Sequence, residues 1–164
     1  MFFRRKNSVE LSEKKPSKIN KILVVVFILS LAWLTIGQFH PSSGILKIKD
    51  HTIMVYIANT PAMLHKGLGK RADLDTHDGM VLLFPETARH AIVMRDMQFP
   101  IDIMWIHNGK VVDMVKHAQI EPGVPESKLR RYRPRIEANT VLEVPAGWID
   151  GHNVVIGDTV ATVR

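Results

Sequence analysis

The sequence predicts a mainly β protein behind a single N-terminal transmembrane helix, and three observations support this. One uncharged apolar run lies near the N-terminus, short segments rich in β-branched and aromatic residues follow, and an Asn-Gly pair separates two of them. A chain of 164 residues suffices for one domain with an appendage. We expect a basic cytoplasmic tail at 1–21, an anchor at 22–39, a linker at 40–50 and an exported β-rich domain at 51–164.

The net positive charge of the chain lies almost entirely in the tail. The formal net charge is +6, and residues 1–21 hold seven bases and two acids, which leaves +1 for the rest. A nearly neutral body has no general electrostatic attraction to a polyanion, so we expect no nucleic-acid partner. The absence of cysteine excludes disulfides, thiolate zinc sites and cysteine nucleophiles.

The predicted anchor is the run Ile22–Phe39, which contains no charged side chain. About 20 mostly apolar residues, and at least about 17, are needed to cross a hydrocarbon layer of ~30 Å. Because the bases precede the run, the positive-inside rule predicts a single-pass protein of the cell inner membrane with a cytoplasmic N-terminus and an extracytoplasmic C-terminal domain. A cleavable signal peptide is the alternative, with Thr35-Ile36-Gly37 as a weak cleavage site, and it too exports the body.

The body is predicted as short strands and one short helix. The helix follows Thr60, whose hydroxyl suits an N-cap, begins at Pro61 and stops at Gly67. The predicted strands are Ile45–Lys49, Thr52–Ala58, Met80–Phe84, His90–Met97, Thr140–Val144 and Thr159–Val163.

A β-hairpin is predicted at Asn108-Gly109, the favoured pair for a type I′ turn. The turn implies the cross-strand pairs His107 with Lys110, Ile106 with Val111, Met104 with Asp113, and Asp102 with Val115. Both faces of the hairpin are then largely apolar, so we expect both to be covered.

Two aspartates of the hairpin require an explanation. An unpaired ionised Asp102 among apolar side chains would cost several kcal/mol. We expect it to form an ion pair with Arg71 or Arg95 or to cap backbone amides, with a ligand-binding or catalytic role and solvent exposure as alternatives. Asp113 is expected to be solvated.

The segment Glu121–Asn139 contains three prolines and reads as a long loop. It concentrates a net positive charge that the rest of the body lacks, through Lys128, Arg130, Arg131, Arg133 and Arg135. The loop is either solvated or near anionic lipid headgroups, or its arginine forks recognise a phosphate or carboxylate.

Recognisable catalytic motifs are absent from the sequence, which has no glycine-rich phosphate loop, nucleophile elbow or H-E-x-x-H pair. The histidines are scattered, so we expect no metal and no cofactor. Asp102 and Glu143 could form a carboxylate pair for acid-base work. Whether the protein is an enzyme is therefore left open.

Several motifs occur in an order and spacing shared with a known family. They are Ile57-Ala58-Asn59-Thr60-Pro61, Gly67-Leu68-Gly69-Lys70-Arg71, Gly79–Phe84, Phe99-Pro100-Ile101-Asp102-Ile103, Asn108-Gly109 and Val141–Trp148. Over about Thr52 to Arg164 the chain resembles the domain of unknown function 192 family. The resemblance implies a compact antiparallel β sandwich or barrel with one or two short helices, often exported, with no established activity.

The chain departs from that family at five positions and matches it at three. Gly69 stands where the family commonly has methionine, Val93 stands where it has an aromatic residue, and Arg95, Asp96 and Met97 replace its lysine, asparagine and threonine. The matching residues are Arg71, Asp102 and Glu143, to which the resemblance assigns no role.

The leading hypothesis is a non-catalytic binding or accessory module for an envelope component, either a glycan or an anionic ligand. The candidate ligand-binding residues comprise a polar cluster that organises a cleft and three arginines of the long loop: Arg71, Arg95, Asp96, Asp102, Glu143, Arg130, Arg131 and Arg133. The alternatives are an envelope hydrolase or isomerase that uses Asp102 and Glu143 as acid and base, and a structural partner of another membrane protein.

Overall fold

The computed structural model describes residues 18–37 and 41–163, which belong to two separate units. The first unit is helix α1 (Lys18–Gly37). Apolar side chains between Ile19 and Trp33 are exposed, including Phe27 and Trp33. No helix among these residues has the length and apolar character that a membrane crossing requires. Part of the predicted basic tail and the end of the predicted anchor lie outside the described residues, so the anchor stays a prediction.

The second unit is a seven-stranded sheet, which confirms the mainly β prediction. The sheet order is β5-β4-β6-β3-β2-β1-β7, and every neighbouring pair is antiparallel except β2 with β3. The first strand begins inside the segment predicted as a linker. The strands are β1 (Ser42–Ile48), β2 (His51–Ala58), β3 (Gly79–Ala88), β4 (Ile101–His107), β5 (Lys110–Ala118), β6 (Ala138–Pro145) and β7 (Val160–Val163).

The short helix predicted after β2 is confirmed as α2 (Pro61–Lys66). The Thr60 hydroxyl accepts a hydrogen bond from the Met63 amide at 3.3 Å, and proline opens the first turn. The helix ends at Gly67, whose φ of 52° favours glycine. Two further short helices follow, a 3-10 turn at Glu126–Lys128 and α3 (Trp148–Gly151).

The sheet curls into a half-barrel because its two edge strands approach each other at the hairpin end. The Val111 amide donates to the Asp158 carbonyl at 2.9 Å, and the Val160 amide donates to the Gly109 carbonyl at 2.8 Å. The concave face holds an inner core to which six strands contribute, and Ile149 of α3 is fully buried in it. This curvature leaves the convex face to be covered by other segments.

The convex face carries an outer core formed by β2, β3, β4 and β6 with α2 and the loops. The strand predicted at His90–Met97 is wrong, because that segment is a loop joined to its neighbour by a single bridge between Ile92 and Tyr132. The loop lies over the sheet, and the His90 carbonyl accepts a hydrogen bond from the Trp105 indole at 2.9 Å. β3 instead continues through Pro85.

The hairpin at Asn108-Gly109 is confirmed, but its predicted register is correct only next to the turn. His107 pairs with Lys110 and Ile106 with Val111; Val112 is then an extra, bulged residue. The predicted pairs of Met104 with Asp113 and of Asp102 with Val115 are therefore wrong. The observed pairs beyond the bulge are Trp105 with Asp113, Met104 with Met114 and Ile103 with Val115.

Candidate functional site

Asp102 is fully buried and caps three backbone amides. Its Oδ1 accepts from the His117 amide at 2.8 Å, and its Oδ2 accepts from the Gly147 and Ile149 amides at 3.0 Å each. Gly147 is the N-cap of α3 and has no side chain that could accept hydrogen bonds from the first turn. The Asp102 carboxylate of β4 accepts them instead. The prediction that Asp102 caps backbone amides is confirmed. The alternative prediction, an ion pair with Arg71 or Arg95, is wrong.

The acid-base pair predicted from Asp102 and Glu143 is contradicted by the register of β4 and β6. Glu143 lies directly opposite Ile103, and Asp102 lies opposite Val144. Directly paired residues point to the same face and successive residues alternate, so the two carboxyl groups project from opposite faces of the sheet. They cannot act on one substrate group, and the hydrolase or isomerase hypothesis fails with them.

Asp113 is buried and paired, so the prediction that it is solvated is wrong. Its carboxylate accepts hydrogen bonds from the Arg135 amide at 2.6 Å and from Arg135 Nη2 at 2.6 Å. The Arg135 guanidinium holds the pKa of the Asp113 carboxyl below its usual range. The contact ties the arginine-rich loop to β5, so Arg135 has a structural partner.

Glu143 lies at the base of a cavity of about 170 Å3 on the convex face, which we call the Glu143 pocket. The carboxyl is buried, and its Oε2 has no hydrogen-bond partner within the described part of the chain. Burial raises the pKa of Glu143 to about 7, and a hydrogen bond from the Leu68 backbone amide opposes this rise. Nine of the fifteen residues that line the pocket are apolar, including Leu64, Leu68, Leu82, Phe84, Ile92 and Ile101.

Two glycines follow α2, and the first of them, Gly67, lines the pocket. A Cβ on Gly67 would lie 3.5 Å from Glu143 Oε2, at a backbone φ of +52°. A Cβ on Gly69 would lie 2.7 Å from the Arg95 carbonyl oxygen, so a larger residue there would require the backbone to shift. Asp96 has a φ of 53°, a conformation that asparagine also tolerates.

The rim of the pocket is basic and includes His65, Lys66, Arg95 and Arg131. Arg95 donates to the His65 carbonyl and forms an ion pair with Glu126, which lowers the pKa of the Glu126 carboxyl. Arg95 also lines a neighbouring cavity of about 420 Å3 together with Asp96. There Asp96 forms an exposed ion pair with Lys70 at 3.5 Å.

Of the eight predicted ligand-binding residues, the structure brings three together at the Glu143 pocket: Arg95, Arg131 and Glu143. Arg71 stacks on the Tyr56 ring at 4.1 Å, and Arg130 stacks on the Tyr132 ring at 4.8 Å. Asp96 lies beside Arg95 in the neighbouring cavity, while Asp102 is on the other face. Arg133 is exposed.

The contribution of α2 to this site was not predicted from the sequence. His65 and Lys66 reach the rim because the helix ends over the carboxyl of Glu143. The pair of glycines at 67 and 69 after a predicted helix was the signal that could have indicated a close backbone approach. Across residues 18–37 and 41–163, no three histidines or carboxylates are placed to hold a metal ion.

Comparisons with known proteins agree with the fold. Residues 44–162 match the profile of the DUF192 family, described as an uncharacterized ACR. A proposed transcription regulator from Sinorhizobium meliloti 1021 superimposes with a TM-score of 0.66 at 23% identity, covering 75% of this chain and 95% of that one. A protein of unknown function from Novosphingobium aromaticivorans DSM 12444 gives a TM-score of 0.61 at 22% identity, covering 74% and 84%. A search of curated proteins finds no match.

Proposed function

Because the chain belongs to the uncharacterised DUF192 family, we propose its function from the Glu143 pocket: a non-catalytic binding module that takes a small anionic ligand. The observation that carries the proposal is the buried Glu143 Oε2, which has no partner in the described part of the chain and lies under a basic rim. An unsatisfied buried polar atom costs about 1–3 kcal/mol. Native proteins retain few such atoms, so this one points to a ligand in the pocket, and the basic rim points to an anionic group on that ligand.

The rim supplies the electrostatic attraction for an anion. Arg131 is exposed and, among the described residues, forms no ion pair. Its guanidinium can therefore offer two parallel donors to a carboxylate or a phosphate. Arg95 is already engaged by Glu126, so Arg131 is the arginine on which we expect ligand affinity to depend most.

The wall of the pocket favours a small anion over a glycan. A sugar ring carries hydroxyl groups on most of its carbons, and each needs a hydrogen-bond partner when it is buried. Nine of the fifteen lining residues are apolar and offer no side-chain partner, and the polar side chains are the four basic ones of the rim and Glu143. A glycan would have to bind outside the pocket, along the exposed residues Arg130 and Arg133.

The binding proposal is tested by isothermal titration of the full-length protein in detergent with linear carboxylates of increasing chain length. We expect saturable binding at an optimal length and a loss of about 10-fold in affinity for Arg131→Ala, the size of one charge-assisted hydrogen bond. Arg133→Ala is the matched control, since Arg133 does not line the pocket, and it should bind like the wild type. Equal losses for the two variants, or no saturable binding, would overturn the proposal.

We further propose that the module is held at the extracytoplasmic face of the inner membrane by its N-terminal segment. The proposal is supported by the uncharged run from Ile22, the bases ahead of it and the exposed apolar side chains of α1. Alkaline phosphatase fused to the C-terminus should be active, and a fluorescent protein that folds only in the cytosol should stay dark. The reverse result would contradict export, and N-terminal sequencing would separate an anchor from a cleaved signal peptide.

A structural role beside another membrane protein is the second candidate. The observation that favours it is an apolar cavity of about 360 Å3 at the hairpin end of the half-barrel, where Ile45, Leu83 and Val163 are exposed. A photoreactive amino acid at Leu83 should then crosslink to a protein of defined mass in cells. The same label at exposed Asp50 is the control, and identical patterns from both sites would contradict this role.

A further inference from the structure

We propose that the Glu143 pocket selects a zwitterion with an ammonium group at its inner end, an anionic group at its outer end and an apolar spacer between them, as in an amino acid or a short peptide. This inference rests on the proposed function and adds the chemistry of the buried end of the ligand. It follows from the order in which charges occur between the rim and the base of the pocket.

The base of the pocket requires a hydrogen-bond donor. When Glu143 is ionised, its Oε2 is an acceptor with no partner among residues 18–37 and 41–163, and the apolar side chains that line the pocket provide no donor. An ionised carboxylate in such surroundings is stabilised by an opposite charge at contact distance. An ammonium group supplies both the donors and that charge, whereas a carboxylate or phosphate placed there would repel Glu143.

The rim requires the opposite charge at the other end of the ligand. The charged or titratable side chains that line the pocket above Glu143 are His65, Lys66, Arg95 and Arg131, and Glu126 contacts Arg95 from outside. A simple amine would meet this basic rim without a compensating group. A simple anion would bind the rim but leave Oε2 unsatisfied. A zwitterion satisfies both ends, which gives the pocket its selectivity.

Binding of an ammonium group is coupled to ionisation of Glu143. Because burial raises the pKa of the free carboxyl to about 7, the group is mostly protonated at pH 6 and mostly ionised at pH 8. The complex needs the ionised form, so affinity for the zwitterion should fall by about 10-fold from pH 8 to pH 6. Apart from Glu143, the lining includes one histidine, His65, and histidine is the residue type that changes charge near neutral pH.

The test is isothermal titration of the full-length protein in detergent with a series of ω-amino acids and the matching alkanoates and alkylamines. At pH 8 we expect the ω-amino acid of optimal length to bind about 10-fold more tightly than the alkanoate, and the alkylamine not to bind. Glu143→Gln should abolish the advantage of the amino group while preserving alkanoate affinity. His65→Gln should preserve the pH dependence.

The outcomes separate this inference from the proposed function. If alkanoates bind but no ω-amino acid binds better at pH 8, the zwitterion inference is overturned and the anion-binding proposal stands. If no probe binds, both are overturned. Cooperative unfolding of Glu143→Gln would show that the variant is folded. If the folded variant still binds the ω-amino acid more tightly than the alkanoate, Glu143 does not contact the inner end of the ligand, and the inference is overturned.

Discussion

Asp102 and Glu143 lie on adjacent strands of one sheet, yet their side chains project from opposite faces. On the concave side Asp102 accepts hydrogen bonds from three backbone amides, and on the convex side Glu143 retains an oxygen without a partner in the described part of the chain. Because satisfied buried carboxylates stabilise a fold and unsatisfied ones destabilise it, opposite effects of substitution are expected at the two positions.

Replacement of Asp102 should be among the most damaging changes in the half-barrel. Asp102→Ala leaves the amides of His117, Gly147 and Ile149 without their acceptor, and we expect the free energy of unfolding to fall by about 3–5 kcal/mol. Urea unfolding followed by tryptophan fluorescence measures the loss. Asp50→Asn, at an exposed position, is the control and should leave the midpoint unchanged. Similar midpoints for the two variants would show that the cap contributes little.

Glu143→Gln should stabilise the protein at high pH. A carboxyl whose pKa rises on folding binds more protons in the folded state, so its contribution to stability falls as pH rises from about 4.5 to about 7. At pH 8 the variant should be about 2–3 kcal/mol more stable than the wild type, and at pH 4 the difference should vanish. Urea unfolding at both pH values checks this. A variant that is less stable than the wild type at pH 8 would contradict the assignment.

Asp113→Asn should have the opposite pH dependence. The pKa of Asp113 is lowered on folding by Arg135, so its stabilising effect is present above about pH 4 and is lost as pH falls through the folded value. We expect a loss of about 1–3 kcal/mol at pH 7 and a smaller loss as pH falls through the folded value. A loss that keeps the same size as pH falls, measured by urea unfolding, would exclude the ion pair as its cause.

Gly79 holds β3 close to β6. A Cβ at this position would lie 2.3 Å from the Glu143 carbonyl oxygen, so Gly79→Ala must displace backbone and should cost at least about 3 kcal/mol. Gly151→Ala is the matched control because its Cβ would have no neighbour within 4 Å. In thermal unfolding the control should be equal to the wild type or slightly more stable. Equal melting temperatures for both variants would contradict the close strand approach.

Local signals in the sequence were sufficient for the hairpin turn and for α2. The Asn108-Gly109 pair and the Thr60-Pro61 start act through neighbouring residues, so their conformations are encoded locally. The bulge at Val112 has no such signal, because β5 is largely apolar on both faces and alternation cannot reveal an extra residue. The segment at 90–97 has a strand-like composition because it covers the outer core, not because it joins the sheet.

The sequence predicted which residues could bind a ligand, but it did not predict which of them lie together in one pocket. Arg95, Arg131 and Glu143 were recognised as candidates, and they meet only because a loop, a second loop and β6 converge under the end of α2. Apart from the adjacent Met114 amide, which donates to Asp113, the partners of Asp102 and Asp113 are 15 to 47 residues distant in the chain. Such contacts depend on the curvature and register of the sheet, which the alternation of residues did not determine.

Glu143 is a buried carboxyl beneath a basic rim, and its Oε2 has no hydrogen-bond partner among the described residues. A carbon-13 NMR titration of the glutamate side-chain carboxyl groups, assigned through Glu143→Gln, measures this directly. We predict a midpoint of about 7 for the free protein. A midpoint at the ordinary glutamate value of about 4.3 would mean that the carboxyl is solvated or already paired, and it would contradict the account.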